Sequence, residues 1–119
     1  MEILVFGQFR DSLLSSLRKH FPSIIFRKCD LSMELENEGR RLIVMDSVKG
    51  VDKVTLVDDL HSISPGKAIE GSGTIMTLRI LLRIGSLESA KVIAVPADYP
   101  EAIAFSEISA IIGELAKKA

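Results

Sequence analysis

Asp46 is the residue of this sequence whose position most directly suggests chemistry. It follows residues 42–45, which are continuously apolar, as in a parallel-sheet strand that is covered on both faces. Small or polar residues dominate positions 47–50, so the sequence predicts that the strand stops at Asp46. Loops at the carboxyl ends of parallel strands are a favoured place for ligands. This locates a candidate site without naming its reaction, and the same carboxylate would also suit a turn, where Asp accepts backbone hydrogen bonds.

Other patterns that could do chemistry receive less support. Cys29 is the only cysteine, and His20 and His61 lie far apart in the sequence with no Gly-x-Ser-x-Gly motif, so a nucleophilic triad is not expected. Residues 71–73, Gly-Ser-Gly, could bring backbone amides close to an anion at a helix start. They lack the Lys-Ser/Thr ending of a P-loop and the spacing of a dinucleotide fingerprint.

Composition narrows the class of protein. The 119 residues, 47% of them hydrophobic, suit a single domain over residues 1–119 with its own core. Fifteen basic and sixteen acidic residues give a net charge of −1 with no long basic run, so nucleic acid is not an expected partner. The apolar stretch 74–82 contains Arg79 and is shorter than the ~20 residues that cross a bilayer. A single cysteine and the absence of a signal-like segment predict a cytoplasmic protein.

Hydrophobic periodicity predicts alternating strands and helices. Strands are expected at residues 2–6, 23–28, 42–45, 53–57 and 91–95. Helices are expected from a cap at Asp11 or Ser12 to the break at Pro22, over 72–84 before Gly85, and over 101–118, which has acid at its start and lysines at its end. Residues 30–40 and 58–70 are expected to be loops, the first with at most one helical turn.

The connections between these elements predict the fold. Only about six residues separate the strand 42–45 from the strand 53–57, too few for a parallel crossover, so the two are expected to form an antiparallel hairpin with 53–57 at the sheet edge. Apolar residues surround most of the helix 72–84, which is therefore expected to be largely buried. The predicted fold class is a three-layer α/β/α domain with a mixed, mostly parallel sheet of about five strands.

The order of these motifs resembles that of the hydrogenase maturation proteases, the endopeptidases that trim the C-terminal tail of the large subunit of nickel-iron hydrogenases. The resemblance covers most of the chain. It rests on the opening strand ILVFG, on LIVMDSVKG, and on LRILLRIGSLESAKVIAVPAD, a run similar to the methanogen branch of the family.

The resemblance implies a metal-recognising site. In the family, two acidic residues and one histidine read the nickel centre of the immature hydrogenase. Asp46 matches the second acidic position, Asp11 falls on the first in a shortened loop, and Glu70 lies within a residue or two of the histidine. Three carboxylates would make a harder site that favours magnesium or manganese over nickel, unless the substrate supplies softer ligands. His61 is the other donor nearby, and it would more simply be a solvated loop residue.

Three functions follow as hypotheses. The first is a metal-dependent endopeptidase that processes a hydrogenase large-subunit precursor carrying nickel. The second is a non-catalytic relative that acts as a protein-binding module, in which Asp11 is only a helix cap and Glu70 only complements a helix dipole. The third is a receiver-like domain with Asp46 as phosphoacceptor, although the acidic pair expected after its first strand is replaced by Gly7, Gln8 and Phe9.

Overall fold

The computed structural model of the chain describes residues 1–29, 39, 41–58, 60 and 73–118. These residues form the strands β1 (Glu2–Phe6), β2 (Ile25–Lys28), β3 (Arg41–Val48), β4 (Thr55–Val57) and β5 (Ser89–Pro96), and the helices α1 (Asp11–His20), α2 (Gly73–Arg83) and α3 (Glu101–Lys118). The strands make one sheet in the order β2-β1-β3-β5-β4. All neighbours are parallel except β4, which runs antiparallel to β5 at the edge. The predicted mixed, mostly parallel sheet is confirmed.

Helices cover both faces of the sheet, because successive strand residues point to opposite sides. One face packs against α1 and α3, and its strands contribute Ile3, Val5, Met45, Ile93 and Val95. The other face packs against α2, and its strands contribute Leu4, Phe6, Val44, Val92 and Ala94. The near-continuous apolar runs of the central strands follow from this two-sided burial. The result is the predicted α/β/α arrangement.

The predicted hairpin between residues 42–45 and 53–57 is wrong. β4 is antiparallel and lies at the edge, as expected, but its partner is β5, with Leu56 opposite Ile93. Both sides of β3 are already occupied, by β1 on one side and by an eight-pair ladder to β5 on the other. A three-residue strand does not displace that ladder, so it adds to the free side of β5 instead.

Two local predictions about helices also need correction. Asp11 and Ser12 do not cap α1, because Arg10 occupies the N-cap with extended backbone and no side-chain capping bond. The helix α2 is not largely buried, since Met76 and Ile80 are 54% and 55% exposed. Apolar periodicity shows that a helix has a buried side, but it does not show whether a second apolar side has a partner.

The predicted ends of β5, α3 and the α2 region agree closely with the structure. Pro96 is the last residue of β5, α3 spans the predicted residues, and Gly85 ends the α2 region with a positive φ of 81°. In the part of the chain that is described, no helix is both long and apolar enough to span a bilayer. The predicted loop 30–40 lies outside the described residues apart from Gly39, as do residues 59 and 61–72 of the second loop and the start of the second helix.

Candidate functional site

The strand that carries Asp46 does not stop there. β3 continues to Val48, with Asp46, Ser47 and Val48 paired to Ala94, Val95 and Pro96 of β5. The prediction ended the strand at its first polar residue, but β5 is equally long and supplies ladder partners for two more positions. Asp46 therefore lies inside the sheet near its carboxyl edge, which corrects its predicted place at the end of the strand.

Asp46 faces the α2 side of the sheet. Its neighbours on the adjacent strands are Phe6 and Ala94, both members of the core cluster that packs against α2. The residue is 5% exposed, and it is the one charged residue that is buried in the described part of the chain. Burial of a carboxylate requires compensating interactions, and Asp46 does not lack them. Such a residue is a candidate for function, although ion-pair or hydrogen-bond networks of purely structural value also occur.

Gly7 approaches the carboxylate of Asp46 from the end of β1. A Cβ atom built at position 7 would lie 2.8 Å from Oδ1 of Asp46 and 3.2 Å from Cβ of Ser47. The φ of Gly7 is 84°, in the left-handed region that glycine adopts most easily. A glycine here thus satisfies both the turn after β1 and the close packing beside Oδ1.

Ser47 faces the opposite side and lines a cleft of about 310 Å³. The cleft lies at the carboxyl ends of β1, β3 and β5, between the first turns of α1 and α3. Its polar lining is Gln8, Arg10, Ser47, Asp98 and Glu101, and its apolar walls are Phe9, Leu13, Val95, Pro96, Tyr99, Pro100 and Ala104. This is the crevice that the geometry of parallel sheets favours for ligands.

The sequence prediction named Asp46, whereas the cleft lies on the other face of the same sheet edge. Asp46 and Ser47 are adjacent, so they point to opposite faces, and the residue that reaches the cleft is the serine. The period-two alternation of a strand is the signal that could have separated the two positions. This alternation applies to Ser47 because β3 extends past Asp46 to Val48.

A hydrogen-bonded group fixes one wall of the cleft. The Tyr99 hydroxyl donates to Oε1 of Glu107 at 2.6 Å, and the backbone N–H of Val54 donates to the same oxygen at 3.2 Å. The Tyr99 bond, followed by the Val54 bond, lowers the pKa of Glu107 below its ordinary value. The same bond to Glu107 raises the pKa of Tyr99. Glu107 thereby links the cleft wall, α3 and the segment that enters β4.

The first turns of the two helices also meet beside the cleft. The Ser12 hydroxyl of α1 donates a hydrogen bond to Oε1 of Glu101 in α3. Glu101 is the first residue of its helix, where a negative charge complements the helix dipole. This contact joins the two helices on one side of the cleft.

Asp11 lies at the surface instead of in the core. Its side chain is 96% exposed, and Oδ1 is 3.1 Å from Nζ of Lys28 at the end of β2. The structure therefore places Asp11 and Asp46 in very different environments, one solvated and paired with a lysine, the other inside the sheet. Glu70 and His61, the other predicted donors, lie outside the described residues, so their relation to Asp46 stays a prediction.

Of the three predicted carboxylates, Asp46 is the one that the described residues place inside the sheet at this edge. Among the described residues, no group of three or more His, Cys, Asp or Glu side chains is placed to hold a metal ion. No family model, curated protein sequence or solved structure matches the chain. The arrangement supplies a buried carboxylate on one face of the sheet edge and a mixed polar and aromatic cleft on the other.

Proposed function

We propose that this chain is a hydrogenase-maturation-protease-like domain that recognises a divalent metal carried by a partner protein. The partner would be a nickel-iron hydrogenase large-subunit precursor, and the reaction would be hydrolysis of a peptide bond near its C-terminus. The observation that carries the proposal is Asp46, a buried carboxylate near the carboxyl edge of β3 that lies beside Gly7 at the end of β1. The sequence resemblance described above supplies the reaction.

The proposed chemistry assigns recognition to the chain and polarisation to the metal of the substrate. A carboxylate that contacts a divalent metal orients it, and the metal acts as a Lewis acid on the carbonyl oxygen of the bond to be cleaved. A side chain at position 7 would crowd Oδ1, because its Cβ would lie 2.8 Å from that oxygen. The remaining ligands would come from the substrate, with Asp11 and Glu70 as the proposed additional carboxylates.

The test is a titration of the whole chain with nickel and with manganese by calorimetry, followed by a cleavage assay on nickel-loaded precursor. Asp46→Asn and Glu70→Ala should each weaken metal binding and slow cleavage. Asp52→Asn is the matched control, because Asp52 is an exposed acid in the segment after β3 and its amide variant should behave as the wild type. Unchanged metal binding and cleavage in Asp46→Asn would reject the role of Asp46.

A second function, a protein-binding module without cleavage, is favoured by two observations. The cleft on the α1 and α3 side is large enough for several side chains of a bound segment. Asp11, which the endopeptidase would need for its metal, is instead in contact with Lys28. In this second proposal the partner chain binds in the cleft and Asp46 has a structural role.

Binding and cleavage of the precursor separate the two proposals. If the chain is a binding module, Ser47→Tyr and Arg10→Glu should weaken precursor binding because both positions line the cleft, while Asp46→Asn should bind normally and no variant should cleave. If instead Ser47→Tyr and Arg10→Glu bind and cleave the precursor normally while Asp46→Asn does not, the endopeptidase is supported. The receiver-like alternative remains third, because the antiparallel β4 interrupts the strand and helix alternation of that class.

A further inference from the structure

The helix α2 exposes a stripe of large apolar side chains. Met76, Ile80 and Ile84 are 54%, 55% and 66% exposed. Their four-residue spacing places them on one face, and the bond from the Ile84 N–H to the Ile80 carbonyl at 3.0 Å carries the helical path as far as Ile84. At 1.5 Å per residue the stripe is ~12 Å long.

This stripe is separate from the core. The buried face of α2 includes Ile75, Leu78 and Leu81, which pack against the sheet. The other large hydrophobic residues that are exposed in the described chain, Met1, Ile25 and Ile103, lie on different elements. Single exposed apolar residues are ordinary, whereas a continuous patch marks an interaction surface.

Positive charge follows one edge of the stripe. Arg79 and Arg83 are one turn apart, and at 100° per residue both fall on the same side of the line from Met76 to Ile84. The helix has no acidic residue, so nothing within it balances these charges. Neither arginine forms an ion pair with any described residue, whereas Arg27 and Arg41 pair with Glu2 and Glu88.

We propose that this face of α2, defined by Met76, Ile80, Ile84, Arg79 and Arg83, is a docking surface for an acidic amphipathic helix of another protein. Such a partner would place apolar residues at four-residue spacing against the stripe and carboxylates along the edge that carries the arginines. An amphipathic helix would be recognised through its apolar face, with the charges setting orientation and partner choice. The surface lies on the α2 side of the sheet, apart from the cleft, and the proposal is independent of either proposed function.

Other occupants fit less well. Symmetric pairing of two copies through α2 would bring together two helices without a single carboxylate, leaving the arginines of both unmatched. A helix that lies in a membrane surface usually has basic residues over its whole polar face, whereas here they occupy one edge only, and the opposite face of α2 is buried against the sheet.

The test uses fluorescence anisotropy of the whole chain with two labelled synthetic helices. Both have leucines at the four-residue spacing, and one carries glutamates along one edge where the other carries lysines. The glutamate peptide should bind at least about tenfold more tightly, equivalent to about 1.4 kcal/mol. The double variant Arg79→Glu, Arg83→Glu should reverse that preference, which a merely structural effect would not do.

Matched apolar variants complete the test. Ile80→Ser should weaken binding of the glutamate peptide about tenfold, while Ile103→Ser, which alters an exposed isoleucine of α3, should leave it unchanged. Equal binding of the two peptides, or equal effects of the two serine variants, would overturn the proposal. Binding to vesicles of phosphatidylcholine and phosphatidylserine without peptide binding, or a dimer that Ile80→Ser dissociates, would replace the proposed partner by a membrane or a second copy.

Discussion

Gly7 packs against the carboxylate of Asp46 so closely that no side chain fits between them, since a Cβ at position 7 would lie 2.8 Å from Oδ1. The contact joins the end of β1 to β3 at the carboxyl edge of the sheet. Asp46 is also the only buried charged residue in the described chain.

Gly7→Ala should destabilise the protein through both backbone strain and crowding. The left-handed conformation alone costs about 1–2 kcal/mol for a residue with a Cβ, and the contact with Oδ1 adds to it. Gly85→Ala isolates the first effect, because Gly85 also has a positive φ of 81° but nothing within 4 Å of the added Cβ. Urea denaturation of both variants should show a larger loss at position 7. If the two variants lose equal amounts of unfolding free energy, the contact with Asp46 does not contribute to the cost of the added Cβ.

Gly113→Ala should have the opposite effect. Gly113 lies within α3, and an added Cβ would meet nothing within 4 Å. Alanine favours a helix interior by roughly 0.5–1 kcal/mol over glycine. The midpoint of urea denaturation should rise, and a fall would show that the space beside Gly113 is filled in solution.

Lys28→Ala should change stability little and metal affinity more, if Asp11 takes part in metal recognition. The exposed ion pair between Lys28 and Asp11 is worth at most about 1 kcal/mol. Removing the lysine takes away a cation that competes for the carboxylate, so nickel binding should become tighter and Asp11→Ala should abolish the gain. Identical calorimetric titrations of the wild type and Lys28→Ala would argue for the binding-module function, in which Asp11 contacts no metal.

The Tyr99 and Glu107 pair should make stability depend on pH in the acid range. Because the pKa of Glu107 is lowered, its contribution is present above the ordinary glutamate value of 4.5 and is lost as the pH falls through the lower pKa of the folded state. Tyr99→Phe removes the main cause of that shift. The difference in unfolding free energy between the wild type and Tyr99→Phe should therefore narrow on acidification. Asp98→Asn, which changes a neighbouring acid on the turn before α3, is the control. A difference in unfolding free energy between the wild type and Tyr99→Phe that does not vary with pH would contradict the role assigned to Glu107.

The sequence predicted those parts of the fold that depend on neighbouring residues. The helix α3 was predicted with its observed bounds because acid at Glu101 and lysines at its end complement the helix dipole. The break after α2 was predicted from Gly85, whose positive φ suits glycine. The same local reasoning identified the parallel strands of the sheet core.

The errors arose where distant residues decide the outcome. The partner of β4 depends on which strand edge is free. The sequence of residues 53–57 does not indicate that β3 and β5 already form an eight-pair ladder. The end of β3, which was predicted before Ser47, is set by pairing with β5. The exposure of Met76 depends on what lies against the far side of α2, which periodicity within the helix does not reveal.

The short strand β4 also bears on how the protein avoids aggregation. It pairs with Val92, Ile93 and Ala94, and so shields the outer backbone groups in the apolar middle of β5. An unshielded strand of that kind is a template for pairing with other molecules. Glu107 helps to hold the entry to β4 by accepting the Val54 N–H, so its protonation weakens the attachment. Acid conditions should thus weaken the shielding of β5 by β4.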